Sequence, residues 1–366
     1  MSGLRNTRGR RVPAQPDLRP IWQATLADHV IALRWSPTGQ TLAAAAISGP
    51  ISILDSASGT VQHVLPGHPG LGTTALDWHP DGIRLASSGQ DGQVRVWDTT
   101  SGQEQQALAA GTAWVERVVW HPAGDVLAAA AGRTVRLWAA DGTLHHTWDA
   151  HASTVADIAW EPNGIRLAAA AYGGVTLWQP GQAEPLRRYQ WQGSTLVLAW
   201  SPDGSLIATG DQDSTVHFWY VASGKDLQMW GYETKVLELA WHHRSRYLAT
   251  GGGSIPCVWD CQASANGPEG SRPVQLTAHS APVTALAYQH QGNLLASGGQ
   301  ADGVALWEPQ RTNRRAAWVD GTSAVTRLDW SPDDTRLAVG YDDGTVAVYA
   351  VTPEVARVPR GRPQRT

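Results

Sequence analysis

The chain has 366 residues and a formal net charge of −4 at pH 7, and only 16% of its residues are charged. Its 2 cysteines, Cys257 and Cys261, cannot form a four-ligand zinc site by themselves. No apolar run is long enough for a membrane-spanning helix, and the arginine-rich N-terminus has no apolar core of signal-peptide length. We therefore expect a cytoplasmic protein without a membrane segment.

A five-residue phrase recurs along the chain, and each copy begins with an aromatic residue that we call the anchor. Spacings between neighbouring anchors range from 40 to 47 residues. A fixed period near 40 indicates a repeat architecture rather than a catalytic motif, which would occur once. The anchors, in chain order, are Trp35, Trp78, Trp120, Trp160, Trp200, Trp241, Tyr288 and Trp330.

Each repeat unit predicts short β-strands. Runs such as VERVVW and TVRLW are brief, apolar and bounded by Pro, Gly and Asp, and no segment has a long 3.6-residue apolar stripe. The eighth residue after every anchor is alanine, from Ala43 to Ala338. A three-stranded unit cannot bury both faces alone, so the units are expected to pack radially, with alanine allowing close approach. The fold class is all-β.

The turn WSPDG from Trp200, the unit LASSGQDGQVRVWD from Leu85 and the pair Gly67-His68 resemble those of the WD-repeat β-propeller family. The resemblance covers roughly residues 20 to 351. It implies a structural hydrogen-bonded set of His, Ser or Thr, Asp and Trp in a unit. The fifth unit keeps most of the set but lacks the histidine. The second unit supplies His68, Ser87, Asp91 and Trp97, and the seventh supplies His279, Ser297, Asp302 and Trp307.

We expect a single closed β-propeller of four-stranded blades over residues 20–351, with eight blades and seven as the alternative. The last unit lacks an outer strand, and the N-terminal segment from Pro20 is expected to supply it. Residues 1–19 and 352–366 are expected to be basic disordered tails. They solubilise the chain or, alternatively, clamp a polyanion; neither contains a stacking aromatic, so nucleic acid is not the favoured partner.

The sequence contains no catalytic constellation, no phosphate-binding glycine loop with a lysine and no convincing metal-ligand set, so no cofactor is expected. Charged residues one and three positions before the anchors are expected to line the central channel. Their mixed signs favour neutralising pairs over ligand binding. These residues are Arg34, Asp77, Arg117, Asp157, Glu238, Arg327 and Asp329.

Turns before the first strand and between the second and third strands of each unit should form one rim, where the family commonly takes partners. Trp114 is singled out because the repeat does not demand an aromatic residue there; it either anchors a partner or folds over a seam between units. A loop over residues 261–274 is expected on the opposite rim. The other rim candidates are Trp191, Trp230, Glu233, Lys235, Gln90, Arg133, Tyr172, Gln212 and Asp342.

The sequence therefore predicts a non-enzymatic, monomeric scaffold that binds proteins or peptides at this rim. Two alternatives remain: a small-ligand binder or hydrolytic enzyme that uses the central channel, and a nucleic-acid-associated protein that uses the arginine-rich tails. Lysine occurs twice against 26 arginines, and alanine is abundant, which suggests a bacterial genome rich in G and C.

Overall fold

Short apolar runs between tight turns form 30 β-strands in the computed structural model, which describes residues 18–352 except 69, 71, 150, 265, 266, 302 and 322. All regular elements of this described part are strands, which confirms the all-β prediction. The expected tails fall outside the described residues, apart from Leu18, Arg19 and Thr352.

One strand, β1 (Pro20–Thr25), precedes the repeat units. The first three units each contain four strands. In chain order they are β2 (Val30–Trp35), β3 (Thr41–Ala46), β4 (Ile51–Asp55) and β5 (Val61–Leu65); β6 (Thr73–Trp78), β7 (Arg84–Gly89), β8 (Gln93–Asp98) and β9 (Gln103–Ala109); and β10 (Val115–Trp120), β11 (Val126–Ala131), β12 (Thr134–Ala139) and β13 (Leu144–Trp148).

The fourth and fifth units contain β14 (Asp157–Trp160), β15 (Leu167–Trp178), β16 (Arg187–Trp200), β17 (Leu206–Asp211), β18 (Val216–Tyr220) and β19 (Asp226–Met229). The last three units contain β20 (Leu239–Trp241), β21 (Tyr247–Thr250), β22 (Cys257–Asp260) and β23 (Val274–Gln275); β24 (Val283–Tyr288), β25 (Leu295–Gly299), β26 (Gly303–Trp307) and β27 (Arg315–Asp320); and β28 (Val325–Trp330), β29 (Arg336–Tyr341) and β30 (Thr345–Ala350).

These strands form seven hydrogen-bonded sheets, six with four strands and one with the six strands β14 to β19. If each sheet is counted as one blade, the propeller has seven blades, which is the alternative number, rather than the expected eight. The difference lies in the fourth and fifth repeat units, which share the six-stranded sheet. The N-terminal part of β15 pairs with β14 and its C-terminal part with β16, and the C-terminal part of β16 then pairs with β17. Both units therefore keep their strands but are joined along β16.

The first strands of the eight repeat units contact one another in a closed cycle, β2, β6, β10, β14, β16, β20, β24 and β28, and β28 returns to β2. The alanine eight residues after each anchor is fully buried in all eight units, from Ala43 to Ala338. Because alanine adds only a methyl group, neighbouring sheets approach closely without a void. The predicted radial packing is confirmed.

The N-terminal strand closes the ring. Strand β1 pairs antiparallel with β30, and Pro20 lies opposite Tyr349 and Thr25 opposite Thr345. The indole of Trp22 on β1 is buried and donates to the carbonyl of Ser56 in the first unit, at 3.0 Å. The last unit thus gains its fourth strand from the start of the chain, as predicted.

The anchor tryptophans also connect neighbouring units. The indole N–H of Trp200 donates to the carbonyl of Ala159, the residue just before the preceding anchor, at 3.0 Å. Trp78, Trp241 and Trp330 repeat this bond to the unit before them. Trp35 makes it across the closure, to the carbonyl of Asp329 at 3.1 Å. Five of the eight anchors therefore bond to the preceding unit, whereas the indoles of Trp120 and Trp160 have no hydrogen-bond partner among the described residues.

The structural set predicted in the second unit is present. The two ring nitrogens of His68 lie 2.8 Å from the Asp91 carboxylate and 2.8 Å from the Ser87 hydroxyl, and the indole of Trp97 donates to the same hydroxyl at 2.8 Å. In the seventh unit, His279 and Trp307 both bond to the Ser297 hydroxyl at 2.8 Å. The fourth predicted member, Asp302, lies outside the described residues.

Sequence reasoning missed two variants of this set. In the sixth unit the hydroxyl of Tyr232 replaces the histidine, because it accepts from the Trp259 indole at 2.8 Å and lies 2.9 Å from the Thr250 hydroxyl. In the fourth unit the indole of Trp178 donates directly to Nε2 of His151, at 3.1 Å. A histidine or tyrosine just before the first strand of a unit was the sequence signal that could have identified these two variants.

Candidate functional site

Two kinds of turn build one rim of the ring, which we call the loop rim. They are the turns before the first strands and the turns that join the second and third strands of each unit. Backbone hydrogen bonds hold the two kinds together: Gln90 N–H donates to the carbonyl of Gly72 at 3.1 Å, and Gln212 N–H donates to Ser194 at 2.9 Å. Asp342 N–H repeats the bond to Ala324 at 3.0 Å. Paired turns make the loop rim a fixed surface rather than a set of independent loops.

Three aromatic candidates are exposed on the loop rim. The exposed fraction is 51% for Trp114, 56% for Tyr172 and 77% for Trp230. Large side chains left in water cost solvation free energy unless another surface covers them, and such residues dominate binding energy at interfaces. About half of the Trp114 side chain is therefore open to solvent rather than covered by a seam.

The fourth aromatic candidate, Trp191, packs inward. It lies on β16 and is partly buried, and its ring centroid is 4.3 Å from that of His217 on β18. Its indole N–H is buried without a hydrogen-bond partner among the described residues. Trp191 therefore covers the seam between the fourth and fifth units instead of projecting from the loop rim.

Among the polar candidates, Arg133 and Asp342 form hydrogen bonds within the protein. The guanidinium of Arg133 donates from Nε to the carbonyl of His151 at 2.8 Å. The carboxylate of Asp342 accepts from the Ser323 hydroxyl and from the backbone N–H of Ala324, the latter at 3.1 Å. Gln90 is half-buried. Exposed side chains on the loop rim are those of Gln212, Glu233 and Lys235.

The channel residues mostly pair with one another or with the backbone. Arg117 donates to the Asp157 carboxylate at 2.8 Å, and this neighbour raises the pKa of Arg117. Arg34 lies 3.8 Å from Asp329. Three carboxylates also accept backbone N–H groups of the next unit: Asp77 from Trp120, Asp157 from Leu198 and Asp329 from Trp35.

The other two channel residues, Glu238 and Arg327, form no ion pair with a channel residue in the described part of the chain, and Arg327 donates to the backbone carbonyl of Thr326 at 2.6 Å. Burial raises the pKa of Glu238 to about 7. Burial, followed by repulsion from the guanidinium groups of Arg117 and Arg34, lowers the pKa of Arg327 to about 10. Arg117 and Asp157, which the channel alternative would direct at a ligand, are instead bonded to each other. The arrangement serves packing around the channel more directly than it serves chemistry.

Neither the cysteines nor the histidines form a metal site in the described part of the chain, where no group of three or more potential ligands is close enough to hold an ion. The two cysteines do not form a disulfide, and burial raises the pKa of Cys257 to about 11. The rings of the adjacent residues His242 and His243 have centroids 4.1 Å apart and are tilted by 36°. Over the residues that the structure describes, no helix is long and apolar enough to cross a membrane.

A family model described as "WD domain, G-beta repeat" matches the chain in six stretches: residues 59–98, 102–139, 142–179, 184–220, 270–308 and 315–349. A second model, "Anaphase-promoting complex subunit 4 WD40 domain", matches residues 16–73. The repeat model alone covers more than half of the chain.

Curated relatives match part of the chain. "B-type cell cycle switch protein ccs52B" of Medicago truncatula is 32% identical over 174 residues, which cover 46% of this chain and 34% of that protein. "Anaphase-promoting complex subunit cdc20" of Dictyostelium discoideum is 28% identical over 159 residues, which cover 42% of this chain and 31% of that protein. The chain thus spans about a third of the length of the curated relatives that it matches.

Among solved structures, the computationally designed Ika8 protein superposes with a TM-score of 0.77 at 24% identity, covering 89% of this chain and 98% of that chain. This likeness shows the fold alone. The repeat matches, the recurring anchors and the closed ring of sheets agree, and the chain belongs to the family of WD-repeat β-propellers.

Proposed function

We propose that the chain is a non-enzymatic scaffold that binds partner proteins or peptides through the loop rim. The observation that carries this proposal is the exposure of Trp114, Tyr172 and Trp230 on a rim whose turns are held together by backbone hydrogen bonds. A rigid surface loses little conformational entropy on binding, and exposed aromatic groups supply most of the binding free energy.

The names of the relatives support the proposal that the partners are proteins. The Dictyostelium protein is named as a subunit of the anaphase-promoting complex, and an Arabidopsis thaliana relative is named as a cofactor of APC complex. Both are matched over about a third of their length, so we carry over only the class of partner and not the complex. We also propose that the protein is monomeric and cytoplasmic; sedimentation velocity and cell fractionation test these two points.

The competing function, a ligand or substrate held in the central channel, rests on Glu238 and Arg327, whose pKa values burial shifts away from their ordinary ranges. Pairing of Arg117 with Asp157 and of Arg34 with Asp329 supports the scaffold instead. The nucleic-acid alternative rests on the arginines of residues 1–19 and 352–366 and requires binding that weakens steeply as salt increases.

Substitution of the exposed rim aromatics tests the scaffold. In a pull-down with the full chain as bait, Trp114→Ala and Trp230→Ala are each expected to weaken capture of the main partner by about tenfold or more, because an aromatic anchor contributes about 2 kcal/mol or more to binding. Leu144→Ala is the matched control: Leu144 is 53% exposed in the third unit but lies on the outer strand β13.

Capture that is unchanged in both tryptophan variants, or reduced equally in the Leu144 variant, contradicts a partner site on the loop rim. Failure of the wild-type chain to capture any protein reproducibly favours the channel function.

A further inference from the structure

A cavity of about 640 Å³ opens at the seam between the sixth and seventh units, on the rim opposite to the loop rim. His242 and Arg244, in the turn between β20 and β21, line one side, and Gln310 and Arg311, which follow β26, line the other. A second cavity of about 530 Å³ shares Gln310 and Arg311 and extends to the outer strand β23. We call the two cavities together the seam groove.

The seam groove lies at one of the seams that lack a stacked arginine and tryptophan. At three other seams, an arginine six residues after one anchor stacks over the anchor tryptophan of the next unit. In the sixth unit the arginine position is held by Tyr247, and the next anchor is Tyr288, whose buried hydroxyl has no hydrogen-bond partner among the described residues. The three stacked pairs are Arg84 over Trp120, Arg166 over Trp200 and Arg336 over Trp35.

The side-chain amide of Gln310 lies where both cavities meet. Its nitrogen and its oxygen are both buried, and neither has a hydrogen-bond partner in the part of the chain that the structure describes. Leaving such atoms unpaired costs about 1–3 kcal/mol each. A primary amide presents donors and an acceptor in one plane, so the backbone N–H and C=O of one residue in an extended segment of another chain can satisfy both of its atoms at once.

The seam groove carries one positive charge, that of Arg244, for which no carboxylate partner is present among the described residues. Arg246 forms an ion pair with Asp260 at 2.8 Å, and Arg311 forms one with Glu308 at 3.1 Å. Arg244 is exposed, and the hydrogen bond that the structure gives its guanidinium is from Nε to Nε2 of His243, at 3.2 Å. Its terminal nitrogens are therefore available to a carboxylate, which a guanidinium binds through two parallel hydrogen bonds.

At the other end of the seam groove lies a short edge strand. Strand β23 consists of Val274 and Gln275, both exposed, and within the described residues it pairs with β22 on one side only. An unpaired strand edge is a template for an added extended segment, because its backbone groups still lack partners.

We propose that the seam groove binds an extended peptide segment of a partner protein that carries an aspartate or glutamate side chain. The carboxylate of the segment pairs with Arg244, the backbone N–H and C=O of one of its residues bond to the Gln310 amide, and its backbone continues along β23. The chain's own ends are poor occupants, because residues 1–17 and 353–366 are rich in arginine and would be repelled by Arg244. This site is separate from the loop rim and does not depend on the function proposed there.

Fluorescence anisotropy with the full chain tests the proposal. The probe is a fluorescein-labelled hexapeptide in which glutamate alternates with alanine, and the matched probe has lysine in place of glutamate. We expect saturable binding of the glutamate peptide alone. Arg244→Glu should weaken it by about tenfold or more, and Gln310→Ala by about three- to tenfold. Arg188→Glu is the control, since Arg188 is an exposed arginine of β16 far from the seam groove.

Hydrogen exchange locates the bound peptide. The glutamate peptide should slow exchange at residues 274–275 and 308–313. Slowed exchange at the loop rim instead, equal affinity for the two peptides, absence of binding by the glutamate peptide, or equal losses in the Arg244 and Arg188 variants would each overturn the proposal.

Discussion

A buried acid and a buried base lie side by side in the fifth unit. Asp211, at the end of β17, is 1% exposed, and its carboxylate lies 3.9 Å from Nε2 of His217 on β18. Burial, with a smaller contribution from the nearby Asp213 carboxylate, raises the pKa of Asp211 to about 7, and burial lowers the pKa of His217. Asp226 lies 3.5 Å from the other ring nitrogen. The fold therefore favours the neutral form of both groups.

This burial predicts a pH-dependent stability. The folded pKa of Asp211 lies above the unfolded value, so the folded state is penalised as the pH rises from about 4 to about 7, where the unfolded chain ionises and the folded chain does not. Asp211→Asn removes that penalty. Relative to the unmodified chain, its free energy of unfolding should rise by about 2–3 kcal/mol between about pH 5 and about pH 8.

Urea denaturation at the two pH values measures this change. Asp149→Asn serves as the control for the loss of an exposed carboxylate. A constant difference between Asp211→Asn and the unmodified chain would show that Asp211 does not titrate in this range.

At the residue scale, the sequence predicted the side chains that the repeat motif specifies. His68, Ser87, Asp91 and Trp97 form the expected set because each occupies its motif position. Tyr232 was missed because a different residue type brings a hydroxyl to the place of the imidazole. Trp191 was predicted on the loop rim, but its orientation depends on His217, which lies on another strand, so sequence position could not reveal it.

Among the elements, β1 has the largest consequence for the rest of the fold. It covers the edge of β30 along five paired positions and places Trp22 against the first unit, where the indole bonds to the Ser56 carbonyl. Removal of β1 leaves β30 as an open edge and removes a buried tryptophan from the closing seam, and both changes favour association between molecules.

Two truncations separate the effect of β1 from that of the residues before it. Deletion of residues 1–26 should lower the free energy of unfolding by about 3–5 kcal/mol or more, the cost of losing a buried tryptophan alone, and should produce oligomers. Deletion of residues 1–17 retains β1 and should leave stability and size unchanged. Denaturant unfolding and light scattering after size exclusion measure both; equal behaviour of the two truncations contradicts closure by β1.

The sequence predicted where the strands lie better than how the sheets connect. The fourth and fifth units join because Tyr172, in the turn of β15, pairs with Ser194 of β16. Gly173 and Gly174 allow that turn, since their φ angles of 96° and 108° suit glycine. The anchor spacing across this junction, from Trp160 to Trp200, is 40 residues, the same as from Trp120 to Trp160, so the repeat pattern contained no sign that two units would share a sheet.

For the whole molecule, stability depends on seams that repeat around the ring. Each seam combines buried alanines with an anchor residue from the following unit, and most described seams add an indole bond to the preceding unit. The closing seam between the last and first units has the same bond as the seam between the fourth and fifth. A ring built in this way has no weak end from which unfolding begins.

Because these two seams contain the same indole hydrogen bond, its loss should lower the free energy of unfolding equally at both. Trp35→Phe at the closing seam and Trp200→Phe at an internal seam each remove one indole hydrogen bond and should each lower the free energy of unfolding by about 1 kcal/mol beyond the loss of ring volume. Trp160→Phe is the control for volume, because its indole N–H has no partner among the described residues. Chemical denaturation compares the three; a much smaller cost for Trp35 would indicate that the ring opens at its closure.

The pairing of Pro20 with Tyr349 brings the entry and the exit of the propeller together, at the end of the last sheet that faces away from the loop rim. Polypeptide attached before Pro20 and polypeptide attached after Tyr349 would therefore emerge side by side. A tag or a fused domain joined directly at Pro20 or at Tyr349 would lie on the side of the molecule away from its aromatic surface.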